Sequence, residues 1–210
     1  MRAAQVTKYA FVYIAVVLGS TFLLYPLTSG LGPLGGAEGF IVLVAVSELA
    51  GFAAFLYLVR RSGVTFRDMG FRRPGSARLF ALALSAAAMY SALELQIPSV
   101  GRYAFQLDAL KGIALAAAAV AGLTEEAVFR GFVVNFTREY GGLRSVLLSA
   151  ALFGVAHLSW GPGGVLGTFV LGLALGYVVY AGGSVVPCVV SHALMDALIE
   201  PGLVMTFLHP

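Results

Sequence analysis

Charge is scarce in this sequence: of 210 residues, 13 are Lys or Arg and 10 are Asp or Glu, so 11% are charged while 60% are hydrophobic. Soluble domains average about 25% charged and about 45–50% apolar residues, which excludes a water-soluble globule. Cysteine is scarcer still. Cys188 stands alone, so an internal disulfide and a CxxC zinc knuckle are both excluded. The formal charge is +3, and the basic residues collect between apolar segments instead of forming an aromatic-laced stripe; no nucleic-acid partner is expected. No internal repeat is evident, which argues against the paired halves of a secondary transporter.

Long apolar runs are abundant. About 20 residues cross a hydrocarbon core of about 30 Å at 1.5 Å per residue, and seven segments of this kind lie at 9–26, 37–59, 79–97, 109–136, 143–159, 164–181 and 184–208. None alternates with a period of two, and lipid admits only helices or closed barrels. The expected fold is therefore all-α: a polytopic transmembrane helical bundle of about seven spans around an intramembrane polar cavity, with residues 1–210 forming one membrane domain. The first run follows Arg2 and Lys8 and has no A-x-A cleavage pattern after it, so it reads as a span and not as a signal peptide.

The one long polar connection carries Arg60, Arg61, Arg67, Arg72, Arg73 and Arg78 against Asp68 alone. The positive-inside rule places it in the cytoplasm. Counting spans from it gives a cytoplasmic N-terminus, a charge-poor outer loop around Gly30 and a second cytoplasmic turn with Arg138 and Arg144. The expected location is an integral protein of the cell membrane, and the Ala/Gly-rich composition points to a prokaryotic source.

A charged group at membrane depth costs at least about 2.5–3.5 kcal/mol on insertion scales, so acids and histidines inside spans call for a reason. Most gather in three stretches: Glu125-Glu126-Ala-Val-Phe-Arg130, Phe153-Gly-Val-Ala-His157 and His192-Ala-Leu-Met-Asp196. On a helix, residues four apart share a face. Glu126 can thus pair with Arg130, Glu125 points about 100° away and is left free, Phe153 can wall the site beside His157, and His192 and Asp196 reach the same side. If the chain turns at Gly141-Gly142, Glu125 and His157 stand 16 residues to either side of Gly141. Both then lie about 24 Å from the turn, at matching depth.

These three motifs, in this order on successive apolar helices, resemble the CAAX prenyl endopeptidase and bacteriocin-processing family, which includes the Ras-converting-enzyme type proteases. The similarity covers approximately residues 109–200, a family-like catalytic core; the earlier spans match only as generic membrane helices. The resemblance implies an intramembrane endopeptidase acting on a membrane-associated protein or peptide, with prenylated CAAX-type substrates among the candidates. Glu125 and His157 would activate water, and His192 with Asp196 would hold the oxyanion. Glu126, Arg130 and Phe153 would support them. Asp196 stands where eukaryotic relatives usually have asparagine, and an ionised aspartate cannot donate a hydrogen bond; it is either protonated or serves to orient His192.

No cofactor is expected, because the sequence lacks the HExxH pairing of zinc proteases. Zinc is the alternative, with His157, His192 and Glu125 as its three ligands. The rival functions are a non-catalytic membrane scaffold and a proton-coupled transporter. Glu48 and Glu94 read as structural pairs or cavity residues, and Glu200 and His209 as interface residues. Gly167, Gly172 and Gly176 suit close helix packing. Trp160 suits an aromatic belt.

Overall fold

The computed structural model describes residues 2–28 and 36–208. The loop around Gly30 and the terminal His209 lie outside them. The described chain is helical, without strands: α1 (Ala3–Thr28), α2 (Ala37–Arg61), α3 (Ala77–Glu94), α4 (Pro98–Tyr103), α5 (Ala109–Glu125), a π-helical segment (Glu126–Val134), α6 (Asn135–Thr137), α7 (Gly142–Ala156), α8 (Gly161–Gly182) and α9 (Val186–Leu208). Among the described residues, six stretches are long and apolar enough to cross a membrane: Ala3–Pro26, Ala37–Arg61, Ala77–Glu94, Ala109–Tyr140, Leu158–Gly182 and Val186–Leu208. The shorter apolar helix Gly142–Ala156 is the seventh segment. It ends earlier than the sequence segment 143–159, and the connection after the third span folds into α4 with Pro98 at its start, where proline's missing N–H is harmless.

Three helix pairs form the frame: α1 on α2, α7 on α8, and α5 on α9. Small residues set their spacing. Gly172 and Gly176 of α8 lie against Ala150 and Val146 of α7, while Gly167 faces Tyr90 of α3. The tightest of these crossings for the chemistry is at Gly122, where an added Cβ would stand 2.9 Å from Ala193 N and 2.9 Å from Val189 O on α9. Both are backbone atoms, so any side chain there forces the helices apart. Gly122→Ala is expected to destabilise the protein by about 1–3 kcal/mol, the usual range for overpacking, and to reduce activity by moving α5 from α9. Gly112→Ala, in the same helix with nothing within 4 Å of its Cβ position, is the control and should be neutral or slightly stabilising. Thermal unfolding in detergent separates the two.

The arginine-bearing connection between α2 and α3 is pinned to the bundle. Val185 N donates to Gly70 O at 2.9 Å, Arg72 Nε donates to Gly183 O at 2.9 Å, and Ser184 Oγ donates to Arg72 O at 2.7 Å. Met69 is buried, and its carbonyl oxygen would lie 2.6 Å from a Cβ at Gly131. Within the connection, the Thr65 hydroxyl and then its amide donate to Asp68, which holds that carboxyl below its ordinary range.

Candidate active site

The three motifs converge on one buried centre, and the backbone changes form where they do. α5 ends at Glu125 and the helix widens into a π-helical segment beginning at Glu126, all of whose residues are buried. Such wide turns are rare and cluster at functional sites. Here the junction lets two consecutive glutamates, which an α-helix would splay by about 100°, address one imidazole. Glu126 Oε1 lies 2.8 Å from His192 Nδ1, and Glu125 Oε2 lies 3.7 Å from His192 Nε2.

Glu126 also meets Arg130, with Nη1 at 3.0 Å from Oε1 and both side chains fully buried; the spacing-based pairing is present. The arginine is held from its other side by an aromatic face, its Cζ lying 3.9 Å from the Phe153 ring centroid. Phe153 stacks edge-on with His157 at 4.6 Å and with His192 at 5.8 Å. This one ring therefore touches the guanidinium and both imidazoles.

His157 caps the C-terminus of α7, with φ at −100°. Its Nδ1 is 2.9 Å from Phe153 O. A carbonyl can only accept, so Nδ1 carries the hydrogen and, in the neutral ring, Nε2 keeps a lone pair. His157 lies within electrostatic range of Glu125, but among the described residues the ion-pair partner of Glu125 is His192. Asp196 Oδ2 is 3.2 Å from His192 Nε2, on the same face of α9. Carboxylates at both ring nitrogens match an imidazolium, which donates at both.

Two further acids lie close to this centre: Glu48, which the sequence reads as a structural pair or cavity residue, and Glu200, which it reads as an interface residue. Glu48, mid-span in α2, is buried; its Oε2 accepts from Thr124 Oγ1 at 3.0 Å, and it lies within electrostatic range of Glu125, Glu200 and Asp196. Glu200, expected at an interface, lies within electrostatic range of Asp196, Glu125 and His192, and its Oε2 is buried. One sequence signal could have found it: Glu200 continues the His192, Asp196 series by a further step of four.

The donor set does not fit a metal as it is folded. Among the described residues no group of three or more His, Cys, Asp or Glu side chains is placed to hold one ion. Both nitrogens of His192, an expected ligand, already face carboxylates.

A groove of about 600 Å³ runs between α7 and α8, lined by Gly154, Leu158, Pro162, Val165 and Phe169 among others. It is apolar, and Leu158, the chain neighbour of His157, is part of its lining.

Fold and centre together define a polytopic helical membrane protein with a glutamate–histidine cluster buried between its spans. Residues 109–198 match the family described as type II CAAX prenyl endopeptidase Rce1-like, the family that the three motifs resemble. No curated protein and no solved structure matches the chain.

Proposed function

We propose that this protein hydrolyses a peptide bond of a membrane-associated protein or peptide, with Glu125 as general base. The observation that carries the reading is Glu125 itself: an acid buried at membrane depth, beside His192, whose Oε2 has no hydrogen-bond partner in the chain. Such an oxygen is free to take a proton from water. As the water oxygen bonds to the scissile carbonyl carbon, Glu125 removes its proton, and the bare Nε2 of His157 supports the attacking water from the α7 side. His192, held as an imidazolium between Glu126 and Asp196, stabilises the developing oxyanion through its positive charge, since both of its N–H groups are given to those carboxylates. Asp196 then orients His192 and does not act as a donor itself. When the C–N bond breaks, the proton held by Glu125 passes to the leaving nitrogen. The apolar groove between α7 and α8 suits the lipid-soluble part of a substrate, in line with the prenyl specificity in the family's name.

The test is cleavage by purified protein in vesicles of a membrane-anchored reporter ending in a CAAX-type peptide, prepared with and without a prenyl group and analysed by mass spectrometry. Release of the C-terminal peptide, faster from the prenylated form, is expected. No cleavage of either form by the wild type would overturn the proposal.

With Glu125 as the base and both nitrogens of His192 facing carboxylates, cleavage should persist in excess chelator. Stoichiometric zinc whose removal abolishes cleavage would reverse that view.

Orientation follows from the arginines between α2 and α3. The native Cys188 is buried, so Arg73→Cys, at an exposed position, gives a clean label. It should react with a membrane-impermeant thiol reagent only from the cytoplasmic side.

A further inference from the structure

Helices outside the matched region also reach the centre. Tyr13 of α1 is buried, and its hydroxyl lies 3.3 Å from Thr124 Oγ1, which is in turn 3.0 Å from Glu48 Oε2 of α2. The Thr124 hydroxyl donates to Glu48 Oε2, which is nearer than its other acceptor, Ala121 O at 3.4 Å, and the tyrosine then donates to the threonine. The result is a directed chain, Tyr13 to Thr124 to Glu48, that crosses three helices and requires an acceptor at Glu48. Thr124 is followed by Glu125 at the last α-helical residue before the backbone widens. At that junction the helix's own regular geometry no longer fixes the rotation of the residues beyond it.

We propose that Glu48 is a positioning residue for Glu125: by holding the Thr124 hydroxyl, it fixes the rotation of the end of α5 and aims the Glu125 carboxylate at the reacting water. An acid carries a heavy insertion cost in a span, so its retention at Glu48 calls for a reason. It also lies within electrostatic range of Glu125, Asp196 and Glu200. The inference rests on the hydrolytic reading above and adds to it a residue supplied by α2, outside residues 109–198.

The experiment measures kcat and KM of the membrane-anchored reporter for Glu48→Leu, Glu48→Gln and Thr124→Val, with Glu125→Gln as reference and thermal unfolding in detergent for each. Loss of positioning should lower kcat by about 10- to 100-fold, the scale of a misplacement near 1 Å, while KM stays within about threefold because the base does not bind the ground state. Glutamine supplies a carbonyl acceptor to Thr124 and should keep kcat within about threefold of wild type. The Glu48→Leu/Thr124→Val double variant should be no worse than the poorer single, since both break one link.

A folded Glu48→Leu with wild-type kcat overturns the inference, and so does a Glu48→Gln as slow as Glu48→Leu. Should Glu48→Leu fail to fold, Thr124→Val decides, because it keeps the volume and the carboxylate while removing the link; wild-type kcat there is again fatal. An active Glu125→Gln would sink the hydrolytic reading itself, whereas an inactive Glu125→Gln beside fully active Glu48 and Thr124 variants sinks this inference alone.

Discussion

Glu125→Gln is expected to lower cleavage of a membrane-anchored reporter by about 10²–10⁴-fold, the usual contribution of a general base, with the protein still folded. Glutamine keeps the shape and polarity of the side chain but cannot take a proton from water. Folding should survive because Glu125 is only weakly committed: its ion-pair contact is the 3.7 Å approach to His192 Nε2, and Oε2 has no hydrogen-bond partner in the chain. His157→Ala should also impair the reaction, and the double variant should be little slower than the poorer single, as parts of one catalytic unit are not additive. The measurement is kcat/KM of purified variants alongside thermal unfolding in detergent. A folded Glu125→Gln with near-wild-type rate would refute the mechanism.

Arg130→Met should act on stability in place of chemistry, with an expected loss of about 3–5 kcal/mol, the range for breaking a buried ion pair from one side. The guanidinium is completely buried, pairs with Glu126 and lies flat enough over Phe153 to bring Cζ within 3.9 Å of its centroid. Removing it leaves Glu126 facing His192 alone and withdraws the cation from the ring that also contacts both histidines. Lysine should rescue poorly, because an ammonium is a compact point charge without a planar face. Adding Glu126→Gln to Arg130→Met should recover part of the loss by removing the uncompensated acid. The check is the unfolding midpoint in detergent for the two singles and the double. An Arg130→Met variant as stable as wild type would show that the pair is not the support described here.

The all-helical membrane architecture was determined by the sequence, and for a local reason. Hydropathy over about 20 residues decides whether a segment belongs in lipid, and lipid then leaves the backbone no economical alternative to satisfying its own hydrogen bonds. The Glu126–Arg130 pair and the packing of Phe153 on His157 were legible for the same reason: each joins residues four apart on one stretch of chain.

Contacts between helices were not legible in this way. Periodicity gives a side chain's direction about its own axis and says nothing of the neighbour it meets. That Glu126 serves His192 as well as Arg130, across 66 residues, depends on the close crossing of α5 and α9 at Gly122 and on the wide turn that begins at Glu126. Neither departs from an ordinary apolar helix in the sequence. Glu48 and Glu200 carried no motif, and each reads alone as an isolated acid. Only the packing of α2 and α9 around the end of α5 placed them in the centre, because an acid in lipid is defined by the groups that surround it, and those come from distant parts of the chain.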